Sequence, residues 1–73
     1  MTFLWFVMLE PPQGRSYIFH IGAEYGDDAV EYAKIWLLEE GLGELLRYNL
    51  NPHVDRIGTT KEIGIITIRL GRE

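Results

Sequence analysis

Phe3, Leu4, Trp5, Phe6, Val7, Met8 and Leu9 form an unbroken apolar run that stops at Glu10-Pro11-Pro12-Gln13-Gly14. A run this short, bounded by proline and glycine, reads as a strand followed by a loop. It is apolar at both parities, which places it in the middle of a sheet or sets one of its faces against another chain. Beyond the loop, Tyr17, Phe19 and Ile21 alternate with Ser16, Ile18 and His20. That is the period of two of a strand with one face more apolar than the other, and the two strands are expected to pair as a hairpin.

The period then lengthens. Gly22 to Gly26 reads as a turn, and Asp28 with Glu31 three residues on reads as a capping box opening a helix that runs to about Glu40, with Gly41 and Gly43 as its stop. At 100° per residue Ala29, Val30, Ala33, Trp36 and Leu37 share a stripe that must face the sheet, and Asp28, Glu31, Lys34 and Glu39 lie around the other side. Ile35 and Leu38 break the division by projecting among the carboxylates. An apolar pair framed by charge is a contact site in outline.

Leu45 to Leu50 fits either a strand, with Leu46, Tyr48 and Leu50 inward, or a further helical turn, and the strand is preferred. Asn51 and Pro52 end it, and His53 to Lys61, with Gly58 and two threonines, reads as a loop of about ten residues. Ile63, Ile65, Ile66, Ile68 and Leu70 make the last strand, with Gly64 marking a bulge or a close approach. No repeat, linker or low-complexity segment divides residues 1–73. The expected fold is therefore α+β: one domain, an antiparallel sheet of three to four strands covered on one face by one amphipathic helix, in the order β-β-α-(β)-β.

Charge changes this picture more than overall composition does. Glu24, Asp27, Asp28, Glu31, Glu39, Glu40 and Glu44 stand against Lys34 alone, a formal −6 within a chain whose total is −4, so the remainder is +2. The helix surface is thus an acidic patch, which attracts a basic partner and repels nucleic acid and anionic membranes. With 73 residues and no cysteine, disulfides and thiolate metal sites are excluded, and a cytoplasmic setting is the expectation. The apolar run at Thr2–Leu9 is too short to cross a hydrocarbon core.

Candidate chemistry is sparse. His53-x-Asp55 with His20 matches no zinc spacing, so no metal is expected. Asp27 with Asp28, and Glu39 with Glu40, are sequence neighbours whose side chains diverge on a helix, unlike a converging acid–base pair. Ser16 lacks a nucleophile elbow, and the glycines form no phosphate loop, so neither an enzyme nor a cofactor is expected. Tyr17, Phe19, Arg15, Arg69 and Arg72 offer rings and cations for nucleic acid, but aromatics at period two belong to a core and the net charge opposes phosphate, so direct binding is not expected.

Acidic residues near a helix start favour its dipole, and any small domain needs a charged surface. Glu39, Glu40 and Glu44 lie at the wrong end for that account. The reading is a non-enzymatic protein-binding module in which Asp28, Glu31, Ile35, Leu38, Glu39, Glu40 and Glu44 engage a basic partner, such as a nucleic-acid-binding protein whose groove the patch would occupy as a nucleic-acid mimic. Small acidic inhibitors carried by phages and other mobile elements, some of which block CRISPR effectors, work in this way as a class; the likeness is one of size and charge. The competing expectation is a self-associating structural protein, a homodimer through apolar strand surfaces or sheet edges.

Overall fold

The computed structural model describes residues 1–71; Arg72 and Glu73, among the charges counted above, lie outside the described residues. Four strands, β1 (Phe3–Leu9), β2 (Tyr17–Ala23), β3 (His53–Thr59) and β4 (Gly64–Leu70), form one antiparallel sheet in the order β3-β1-β2-β4. A single α-helix, α1 (Gly26–Glu39), packs on one face. The fold is the expected α+β arrangement, with β1 and β2 paired as a hairpin in the centre.

The core follows from the alternation of β1 and β2. Val7 lies opposite Phe19 and Trp5 opposite Ile21, so one parity of each strand faces α1. Val7, Leu9, Phe19, Ile21 and Ala23 are buried against Ala29, Ala33 and Leu37 of the helix. The alanines let the helix axis come close to the sheet, and the Trp36 ring closes one side, edge-on to Phe19 with centroids 5.7 Å apart. Trp5 satisfies its indole N–H by donating to the Ala23 carbonyl at 2.9 Å.

The helix ends show which local signals operate. Its N-cap is Tyr25, with no side-chain cap, so Asp28 and Glu31 do not form a capping box. Asp27 and Asp28 instead sit in the first turn, where they favour the dipole without bonding the end amides. At the other end Gly41, at φ +77°, reverses the chain: its N–H donates to the Leu38 carbonyl at 3.2 Å and that of Leu42 to Leu37 at 2.8 Å. This double bond pattern over a left-handed glycine is the Schellman stop. Gly43 has another role, since Leu38 Cδ1 lies where its side chain would begin.

Two expected elements are different. Leu45–Leu50 is not a strand: Gly43–Arg47 forms a 3₁₀ turn, Leu46 and Tyr48 are exposed, and only Leu50 is buried. Leu42 and Leu45, three residues apart, both pack against the core, the spacing that a tight helical turn satisfies and a strand does not. His53–Lys61 is not a loop, because residues 53–59 form β3 and pair with β1. Val54 alone in that strand packs against the core, and the rest of β3 is exposed, as an edge strand permits. Asn51, at φ +46°, and Pro52 aim the chain into it.

The connection from β3 to β4 spans residues 60–63 and crosses the end of the sheet, since its two strands lie at opposite edges. Thr60 N–H donates to the Thr2 carbonyl at 3.1 Å, and the Glu62 carbonyl rests where a side chain on Gly22 would begin. Gly22 is therefore the close approach. Gly64, expected to mark a bulge or such an approach, has open space beside it and a φ of +100°, so it serves a turn conformation. The bulge of β4 lies just beyond, where the pairing skips from Thr67 to Ile65 opposite His20 and Ile21.

Among the described residues no element covers the other sheet face. Leu4, Phe6, Met8 and Ile18 point that way by alternation, are half-buried by their neighbours, and take no part in the core cluster.

Gly22→Ala is expected to lower unfolding stability by about 1–3 kcal/mol, the usual penalty of overpacking. Gly58→Ala, at a position with open space around it, is expected to shift it by less than about 0.5 kcal/mol. Urea titration of both variants checks the pair.

Candidate functional site: the outer face of the helix

On α1, positions 28, 31, 35 and 38 recur at three- and four-residue steps, so Asp28, Glu31, Ile35 and Leu38 form one row along the side turned away from the sheet. All four are exposed, Ile35 at 48% and Leu38 at 61%, although both are aliphatic. The 3₁₀ turn that follows touches Leu38 at Gly43 but leaves both aliphatic side chains exposed. Asp27 and Glu39 flank the row, also exposed. Lys34 lies on the flank toward the 3₁₀ turn, in a hollow with Leu46, Tyr48 and Pro52.

The N-terminal half of this face opens into a groove of about 380 Å³ between α1 and the sheet end. Glu24, Asp28 and Glu31 supply its carboxylates, and Tyr32, Ile35 and Ile63 its apolar lining. The groove contains no basic residue among those described, and the only contact within 4 Å between a carboxylate and a basic side chain among the described residues is that of Glu10 with His53. Among the described residues no lysine or arginine lies within 4 Å of a patch carboxylate, so the patch keeps most of its negative charge and its field projects outward.

The expected site residues therefore separate into groups. Asp28, Glu31 and Ile35 meet in the groove, and Leu38 and Glu39 continue the same helix face. Glu40 occupies the C-cap. Glu44 stands apart, on a second hollow of about 370 Å³ with Pro12, Gln13, Leu45 and Tyr48. Sequence reasoning missed Thr2, Tyr32 and Ile63 as groove residues. Tyr32 lies on the flank of the helix between its buried stripe and its acidic face, and could have been found from the helical period. Thr2 is brought in by the pairing of β1 with β2, which sets Phe3 opposite Ala23, and Ile63 only by the crossing connection.

The histidines are separate from this face. His53 Nε2 donates to Glu10 Oε1 at 2.6 Å, and Asn51 Nδ2 donates to the same oxygen at 3.4 Å. His20 lies on the uncovered sheet face with Nδ1 2.9 Å from Thr67 Oγ1 and its ring edge-on to Phe6. Among the described residues no group of three or more His, Cys, Asp or Glu is placed to hold a metal ion. Among the described residues no helix is long and apolar enough to cross a membrane.

No protein-family model matches the chain, and comparison with curated proteins and with solved structures returned no significant similarity.

The last turn of α1 carries no base, so Glu39 and Glu40 oppose the negative end of the helix dipole. Glu39→Lys with Glu40→Lys is expected to raise stability by about 0.3–1 kcal/mol per charge, and Leu38→Ala to change it by less than about 0.5 kcal/mol, as at other exposed positions. Thermal melts of both variants are the check, and a large loss in Leu38→Ala would place that side chain in the fold instead of on a free surface.

Proposed function

We propose that the chain is a non-enzymatic protein-binding module whose acidic helix face docks on a basic protein surface, of the kind that otherwise holds nucleic acid. The observation that supports it is the row Asp28–Glu31–Ile35–Leu38: two aliphatic side chains left in solvent inside a field of carboxylates that no lysine or arginine among the described residues approaches within 4 Å. An interface needs both elements, a small apolar centre for affinity and a charged surround for orientation and rate. The groove beside the row suits a lysine or arginine of the partner, with its aliphatic stem on Ile35, Ile63 and Tyr32 and its cation at Glu24, Asp28 or Glu31. A cytoplasmic setting fits a cysteine-free chain. Inhibition follows naturally in this reading, since an acidic face seated in a nucleic-acid groove excludes the nucleic acid.

The test begins with affinity capture of the tagged protein from lysate of its source, with nuclease present, followed by association kinetics with the purified partner. The expected partner is basic, elutes with salt, and is displaced by duplex DNA or RNA. Charge reversal at Glu31 and Glu39 is expected to slow association roughly tenfold and flatten its salt dependence, with little change in dissociation, whereas Leu38→Ala is expected to quicken dissociation. Unchanged kinetics in the charge-reversed protein would remove the electrostatic reading.

A further inference from the structure

The uncovered face of the sheet is a second surface, independent of the helix. The registers define its rows across β3-β1-β2-β4: Asp55–Phe6–His20–Thr67, and one step along, His53–Met8–Ile18–Arg69. Leu4 stands in the next row between Gly58 and Gly22. The centre is thus apolar, formed by Leu4, Phe6, Met8 and Ile18, and the two edges are polar with opposite character. Asp55 stands on the β3 edge and Arg69 on the β4 edge.

We infer that this face is the interface of a homodimer, two copies packing sheet against sheet about a two-fold axis parallel to the strands. Such an axis exchanges the edges, so β3 of one copy lies over β4 of the other. In register, His53 then faces Arg69 of the second copy and Asp55 faces its Thr67, and Asp55 reaches Arg69 across a one-row offset of about 7 Å, two residues along a strand, which a long arginine spans. The symmetry makes the pair twice. The apolar centres stack in the aligned geometry of a β-sandwich, at about −30°.

Edge chemistry favours the same occupant. Four strands at ~4.8 Å spacing and seven residues at ~3.3 Å give a face of roughly 19 by 23 Å, about 440 Å² in plan and more with side-chain relief. That lies below the roughly 600 Å² per partner at which standard-sized interfaces begin, so the dimer is expected to be a weak one. Pairing through the edges is disfavoured, because β3 skips a residue opposite Leu4 and Trp5, β4 skips one opposite His20 and Ile21, and both strands carry charge. Bulges and charges are how sheet edges avoid adding strands. The dimer carries its two acidic helices on opposite outer faces.

Sedimentation equilibrium of the intact chain over a dilution series reads this directly. The expected result is a mass rising from 8.5 kDa toward twice that value, with Phe6→Glu held at the single-chain mass. Should Phe6→Glu fail to fold, the rim decides: Asp55→Arg and Arg69→Asp are each expected to weaken the dimer about tenfold, and the two combined to restore it. A single-chain mass up to about 1 mM, corresponding to a dissociation constant too weak to matter, would overturn the inference. So would a dimer indifferent to Phe6 and the rim but dispersed by Ile35→Glu or Leu38→Glu, which would assign association to the helix.

Discussion

One helix can cover only one face of a four-stranded sheet, and the other properties of this domain follow from that limit. The covered side concentrates every large fully buried side chain, with Phe19, Ile21, Leu9 and Val7 of the central hairpin against Leu37 and the two helix alanines. Burying such side chains is worth about 1.5–3 kcal/mol each, so this small layer carries most of the driving force for folding. With the core confined there, the helix exterior and the far sheet face are both released from packing duty. They differ in kind: the first is acidic with an aliphatic seam, the second apolar with a polar rim.

The acidic exterior is costly at one end and favourable at the other. Asp27 and Asp28 sit where the dipole welcomes negative charge, and Glu39 and Glu40 where it does not, with no base in the last turn to compensate. Ile35 and Leu38 likewise gain little from folding at the exposure they keep. Ile35, Leu38 and Glu39 on the outer helix face, with Glu40 at its C-cap, are side chains that folding alone would have chosen differently, and the proposed binding role accounts for them. A purely solubilising surface accounts for the carboxylates but leaves the aliphatic pair without a purpose.

Legibility in the sequence followed the strength of the burial signal. Phe3–Leu9 was readable as an unbroken apolar run, and the alternation of Tyr17, Phe19 and Ile21, the helix stripe and the isoleucine-rich last strand as periods imposed by one core, whereas Gly22 and Ala23, expected in a turn, continue β2. β3 was not readable: a single residue, Val54, packs inward, and Asp55, Arg56 and Gly58 look like loop chemistry because an edge strand in solvent has no apolar period to show. The 45–50 segment misled for the converse reason, since its leucines suggest burial while only Leu50 is buried and Leu45 partly so. The helix face of the candidate site was legible from the 3.6 period. The far wall of its groove was not, because Ile63 arrives there through the path of the crossing connection.

That connection carries one more consequence. Residues 60–63 are of the length that ordinarily joins two neighbouring strands in a tight hairpin, yet here they join strands with two others between them. A β3–β4 hairpin is therefore the local competitor of the native order, and once formed it must come apart before the central hairpin can occupy the gap. The hazard is kinetic, a trap reached fastest because short loops close first. Because β1 and β2 precede β3 and β4 in the chain, a central hairpin that forms first avoids the trap, leaving each later strand only an outer edge to join.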